Sequence, residues 1–278
     1  MAYEGGHTVP VGDLTVTVFS DGHFDIPGEF FTAPEGGGVT DEPERIAANV
    51  WLVDAKGRRL LIDAGSGQAL AGRFTTVGGL HDILAAAGVD RASIDDIIIT
   101  HMHADHIGGL HGEDGLAFPN ATLHVPRAEW AFWTAEETLE GAPEEARPMI
   151  EAIQMLAAPF KDTVILHDDG DSLGHGLTLV AAPGHTPGHS MVRIASGNDS
   201  LLVGGDVIVS GDLQFARPGI TYALDGDPGQ AARTRRETLT ELSQSGERFA
   251  ATHLAFPGIG TVAQDGGGFA FTPVAPGD

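Results

Sequence analysis

The stretch Ile97-Ile98-Ile99-Thr100-His101-Met102-His103-Ala104-Asp105-His106-Ile107-Gly108-Gly109 runs from an apolar segment directly into a cluster of metal-binding side chains. Ile97 to Ile99 reads as a short buried strand, rich in β-branched residues. Four ligand-type residues, His101, His103, Asp105 and His106, follow at once. On a helix or strand so tight a spacing would splay the side chains in different directions. On a loop leaving a strand end they can converge, with Gly108-Gly109 letting the backbone turn tightly beside them. Imidazole nitrogens with a carboxylate suit Zn²⁺, Fe or Mn²⁺.

Three more ligand-type residues stand at the ends of apolar runs. His185 lies in Pro183-Gly184-His185-Thr186-Pro187-Gly188-His189-Ser190, after Leu177 to Ala181. Asp206 follows Leu201-Leu202-Val203-Gly204-Gly205, and His253 follows Phe249-Ala250-Ala251-Thr252. Alone, His185 or His253 would read as an ordinary core or surface histidine. Beside the four-residue cluster, both read as ligands. His7, His81, His111, His124, His167 and His175 stand without such surroundings.

Working outward, Leu14 to Ser20 alternates apolar and polar residues as a strand does, and Asp21-Gly22 reads as a turn. A long loop, residues 22–40, rich in Gly, Pro and Phe, is expected next and to lie near the substrate. Strands are expected near Ala48 to Val53, Arg59 to Asp63, Thr122 to Val125, Thr163 to Leu166, Leu177 to Ala181, Met191 to Ala195, Ser200 to Val203 and Phe249 to Thr252. Helices are expected from Leu80 to Ala87 with Gly88 closing, over Arg127 to Thr134 and Glu144 to Leu156, and from the Asp227 cap through Pro228 to Gly246. There are no repeats or linkers, so the chain 1–278 reads as a single domain. The element order fits sheet packed on sheet with helices on both outer faces.

Composition sets limits on function. Apolar residues make up 42% and charged residues 19% of the 278, as a folded domain requires. With 15 basic against 39 acidic residues the net charge is −24, which would repel a nucleic acid. The absence of cysteine removes disulfides, thiolate zinc sites and cysteine nucleophiles. No apolar run approaches a membrane span, and Met1 to Pro10 lacks the basic start and apolar run of a secretory signal. The expectation is a cytoplasmic protein with no nucleic-acid or membrane partner.

The full set of ligand-type residues resembles the metallo-β-lactamase superfamily, from the Asp63 turn to the C-terminus. That resemblance implies an α+β, αββα sandwich: two mixed sheets face to face, helices on both outer faces, the site on the edge between the sheets. It implies that His101, His103 and His185 hold one divalent metal ion, that Asp105, His106 and His253 hold a second, and that Asp206 bridges them. Zn is the expected pair, with Mn, Co or Fe as other occupants. A hydroxide bridging two metals about 3.5–4 Å apart would attack the substrate. Asp105 would orient it, so Asp105 and Asp206 are the expected catalytic residues. Asp63 and His189 are expected to hydrogen-bond the ligands from behind.

Within the superfamily, the closer resemblance is to the methyl parathion hydrolase and lactonase branch. It rests on Ile99 to Leu110, Phe118-Pro119-Asn120-Ala121, Phe132-Trp133, Gly184 to His189, and His253-Leu254-Ala255-Phe256-Pro257-Gly258-Ile259-Gly260. This implies a hydrolase of lactones and esters with organophosphate triesterase activity, acting on small ester, lactone or phosphotriester substrates as a homodimer. Phe24, Phe30, Phe31, Trp133, Phe215 and Phe256 are the expected wall of an apolar pocket. Short-type acyl-homoserine lactonases carry a tyrosine soon after the bridging Asp; here Asp206 is followed by Val207-Ile208-Val209-Ser210. A glyoxalase II-like thioester hydrolase is the second reading, though the 25 residues after His253 hold no Lys or Arg for glutathione. A non-catalytic metal-dependent binding protein is the third.

Overall fold

Five strand ends place the site: those after Arg58–Ile62 and Asp96–Ile98 in one sheet, and after Leu177–Ala181, Asp199–Val203 and Arg248–Ala250 in the other. The computed structural model describes residues 3–274; the remaining residues of the 1–278 reading, including Met1, lie outside the described residues. The first sheet has seven strands in the order His7–Val11, Leu14–Ile26, Glu44–Ala55, Arg58–Ile62, Asp96–Ile98, Thr122–Pro126, Ile165–His167. It is antiparallel as far as Arg58–Ile62 and parallel beyond. The second, also of seven, runs Ser172–Gly174, Leu177–Ala181, Ser190–Ser196, Asp199–Val203, Arg248–Ala250, Ile259–Asp265, Gly268–Pro273. Its one parallel pair is Asp199–Val203 with Arg248–Ala250.

The layers follow from side-chain alternation along the strands. Val16, Val18, Trp51, Val53, Leu60 and Ile62 face Leu177, Leu179, Val192, Ile194, Leu201 and Val203 between the sheets. Their neighbours Leu52, Leu61 and Ile97 point the other way, into a cluster closed by Leu80, Leu84, Ile150 and Ile153 of the outer helices. Leu239 and Leu242 of the helix Pro228–Ser245 cover the far face of the second sheet. Both sheets are thus covered on both faces, and the αββα sandwich expected from the sequence is the fold.

Local signals act as their chemistry requires. Asp227 accepts Gln230 N–H at 2.8 Å at the start of Pro228–Ser245, and Gly246 ends it at φ +69°. The stretch 22–40 needs correction. The strand Leu14–Ile26 does not stop at Asp21-Gly22 but passes through a register shift there and pairs on to Glu44. Gly22, at φ +135°, sits where a Cβ would lie 1.9 Å from Thr76 O, so the glycine makes a bulge and a close approach, not a turn. Beyond it Phe24 and Ile26 are buried at period two, and Phe31–Thr32 pairs with Thr221–Tyr222. Among the described residues no helix is long and apolar enough to cross a membrane.

Candidate metal centre

After Asp96–Ile98 the chain passes through Thr100 to His103 and makes one turn of helix, Ala104–Ile107. Asp105 and His106 lie on that turn, so His101, His103 and the helical pair approach one point from different backbone directions. Gly108 and Gly109 serve another purpose than the one their position suggests. Gly108 has φ −62°, an ordinary helical value. A Cβ there would lie 2.1 Å from Ser66 O, and one at Gly109 would lie 1.9 Å from Ala64 O. These glycines let the ligand loop seat directly on the Asp63–Ser66 turn.

The structure brings all seven ligand-type residues together as two sets. One is His101, His103, His185 and Asp206; the other is Asp105, His106, Asp206 and His253; the ligand atoms within each set lie within 4.8 Å of one another. His103 Nδ1 is 3.1 Å from His101 Nε2 and 3.0 Å from His185 Nε2. Asp206 Oδ2 lies 3.3 Å from His185 Nε2 and 3.1 Å from His253 Nε2, and Oδ1 lies 3.3 Å from His106 Nε2. Asp206 faces both sets. All seven are buried except Asp105, whose side chain is 17% exposed.

Partners behind the rings fix which nitrogen points inward. His106 Nδ1–H donates to Asp63 Oδ2 at 2.8 Å, His185 Nδ1–H to Asp225 Oδ1 at 2.9 Å, and His253 Nδ1–H to the Ala47 carbonyl at 2.7 Å. The Thr100 hydroxyl donates to Asp63 Oδ2 at 2.8 Å, leaving its oxygen to accept His101 Nδ1–H at 3.2 Å. Those four rings therefore present Nε2, and His103 presents Nδ1. Asp63 also accepts Thr100 N–H, and stands at φ +60°, a left-handed conformation rare for a residue with a Cβ. His189 Nδ1–H donates to Ala182 O at 3.0 Å, so its Nε2 accepts the backbone N–H of Asp206 at 3.0 Å. Its ring holds the Asp206 backbone.

Burial pushes His101 down, and the neighbouring His106 adds to it. Burial and then His185 take His103 down to about 3, and burial and His185 do the same for His189. Burial would also lower His185, but hydrogen bonds to Asp206 and Asp225 outweigh it and raise the ring to about 9. Burial would raise Asp206, but His253, His106 and His101 hold it well below the carboxylate range; Asp105 falls to about 2 for the same kind of reason, through His106 and His253. Burial would likewise lower His106 and His253, but Asp206 outweighs it and raises both rings, His106 well above the ordinary value. Protons on His106, His185 and His253 thus face the Asp105 and Asp206 carboxylates, where a divalent cation, which binds the neutral ring, would take their place. His106 Nε2 and Asp206 Oδ1 are moreover buried without a hydrogen-bond partner, an unmet demand that a cation between them satisfies. The residues fit two divalent ions.

The aromatic residues divide. Phe24 lies edge-on to His253 with centroids 6.3 Å apart and to Phe74 at 5.1 Å. Phe30 and Phe31 pack on Tyr222 at 6.2 and 5.2 Å, and Tyr222 stacks on His185 at 6.3 Å. Trp133 meets His103 at 5.5 Å, and Phe256 is 44% exposed. Phe215 is a correction: it stacks on Phe271 at 5.0 Å inside the core under the second sheet, because it leaves the short helix Gly211–Gln214 on the side facing Leu239 and Phe249. Sequence reading passed over Asp225, which looks no different from Asp227 two positions on, and gave Tyr222 no role. It also left His124 and His167 isolated, yet they bond each other at 2.8 Å.

Residues 44–272 match the family model described as the metallo-beta-lactamase superfamily. Among solved structures the chain is similar to AidC, a dizinc quorum-quenching lactonase in complex with an N-hexanoyl-L-homoserine product, with TM-score 0.88 and 28% identity over 98% of each chain. It is 29% identical over 175 residues to the acyl-coenzyme A thioesterase MBLAC2 of Bos taurus, covering 60% of each protein. It is 32% identical over 123 residues to the N-acyl homoserine lactonase AttM of Azorhizobium caulinodans, covering 42% of this chain and 43% of that one. The chain thus spans three fifths or less of the length of these two curated relatives.

Proposed function

The chain belongs to the metallo-beta-lactamase superfamily, and from that premise we propose that it is a two-metal hydrolase that opens lactones and esters with apolar acyl groups, phosphotriesters being a secondary substrate class. The observation that carries the reading is the shared carboxylate: Asp206 turns one oxygen toward His185 and His253 and the other toward His106, joining two ligand sets. A pair of divalent cations bound there supplies Lewis acidity, ionising water near neutral pH and stabilising the charge that builds on the substrate oxygen.

The chain's own residues do the rest. Asp105 reaches solvent, and His106 and His253 beside it hold its carboxylate in the ionised form. It orients a water by accepting a hydrogen bond. Rings of Phe24, Tyr222 and Trp133, each nearly buried, pack against ligand imidazoles, so the surroundings of the ligands are apolar, as a substrate with an apolar acyl group requires. The likeness to AidC supports the lactone class.

The likeness to MBLAC2 favours a second reading, an acyl-thioester hydrolase. Coenzyme A carries phosphates, and a protein of net charge −24 attracts them poorly. Zinc-loaded protein is expected to open N-hexanoyl homoserine lactone, with activity lost to a chelator and restored by Zn²⁺. Turnover of acyl-coenzyme A with no turnover of lactones, aryl esters or aryl phosphotriesters replaces the first reading with the second.

A further inference from the structure

A carboxylate that no mechanism step requires is buried behind the first ligand set. Glu129 lies in the first turn of the helix Arg127–Thr134 and is fully buried. Its Oε1 accepts the Met102 N–H at 2.9 Å and the Trp133 indole N–H at 2.6 Å. Its Oε2 accepts the Thr186 hydroxyl at 2.7 Å and the Gly188 N–H at 2.9 Å. Met102 stands between His101 and His103, and Thr186 follows His185. One carboxylate therefore joins the ligand loop of the first sheet to the ligand loop of the second.

Three observations make this more than a buried polar contact. Both oxygens are used, by two backbone donors and an indole that cannot reverse direction, so a neutral amide could not replace the carboxylate without opposing an N–H to an N–H. Gly188 packs so closely that a Cβ would lie 2.0 Å from Glu129 N, which fixes the second loop against the helix. Trp133, held by Glu129, lays its ring against His103. Burial raises the Glu129 carboxyl, and the Met102, Thr186, Trp133 and Gly188 donors oppose that rise.

Resting on the two-metal reading, we propose that Glu129 is a positioning residue that sets the metal affinity of the His101, His103 and His185 set, in preference to the set of Asp105, His106, Asp206 and His253. It does so by locking the separation of two loops from different sheets, one carrying His101 and His103 and the other His185.

The test is a Zn²⁺ titration of chelator-stripped protein against a chromophoric chelator. Two binding steps are expected for the wild type. In Glu129→Gln one step should weaken by about 10–100-fold, the range for partners that orient ligands, while the other holds. With Co²⁺ the visible spectrum of the weakened step should change, which simple loss of stability would not produce. In a His253→Ala background the loss should persist, because that change spares the first set. Unaltered affinities, or equal weakening of both steps, overturn the proposal. If Glu129→Gln yields no folded protein, Thr186→Val, which keeps the carboxylate and removes one of its four bonds, should weaken the same step to a smaller degree. No change in that variant also overturns it. A wild type that binds one equivalent refutes the two-metal reading instead, and the Glu129→Gln comparison on that equivalent still decides the role of Glu129.

Discussion

At the scale of single residues, the ligands were legible because four of them crowd into one loop, and their partners were not, because nothing local marks them. Asp225 is forty positions from His185, yet its Oδ1 accepts that ring's Nδ1–H while its Oδ2 accepts the Tyr222 N–H. It fixes the tautomer that leaves His185 Nε2 facing the site. Asp225→Ala frees the ring to rotate and removes an anion that raises its basicity. The expected outcome is a loss of metal affinity of about 10–100-fold, with a parallel loss of activity at limiting metal that excess Zn²⁺ restores. Metal titration of the variant checks it; an unchanged affinity would show that Asp206 and packing against Tyr222 already hold the ring.

At the scale of elements, the strands and caps with strong periodicity were legible, and the pairings across the sheet were not. Phe24 and Ile26 continue the alternation of Leu14–Ile26, but Asp21-Gly22 looks like a stop until the close approach of Thr76 is known. The pair of His124 and His167 is hidden in the same way: each sits in its own strand, and only the parallel register of Thr122–Pro126 with Ile165–His167 brings them together. His124 Nε2 also lies 3.2 Å from Asp96, which Arg58 holds, while Asp171, Asp168 and Arg127 face His167. Burial lowers His167 below the ordinary imidazole value, and His124 lowers it further. A lowered imidazole favours the folded state while neutral, so its contribution is present above the unfolded pKa of about 6.5 and is lost as pH falls through the folded value. The wild type should therefore lose melting temperature more steeply than His167→Gln between pH 7 and 5. The difference between the two proteins is the readout, since the acid sensitivity of the metal ligands is common to both. Parallel melting curves across that range would mean the pair does not hold the sheet edge.

At the scale of the whole molecule, the site is also a fastener. Its ligands come from strand ends of both sheets: His101, His103, Asp105 and His106 from the first, His185, Asp206 and His253 from the second. The core between the sheets is apolar and closes the sandwich without the site, so the fold is expected to form without metal. Without cations, however, Asp206 and Asp105 stay ionised in a chain whose net charge is already −24. An ion that binds only the folded state stabilises it by about 2.7 kcal/mol for each site held at a hundredfold excess over its Kd. Chelation should therefore lower the melting temperature while leaving a cooperative transition, and stepwise return of Zn²⁺ should raise it with free metal concentration. Asp206→Ala, which breaks the carboxylate shared by both sets, should lose most of that metal-dependent gain while melting near the metal-free wild type. A metal-free protein with no cooperative transition would make the ions part of the fold, and a melting temperature indifferent to metal would place the seven residues outside any metal site.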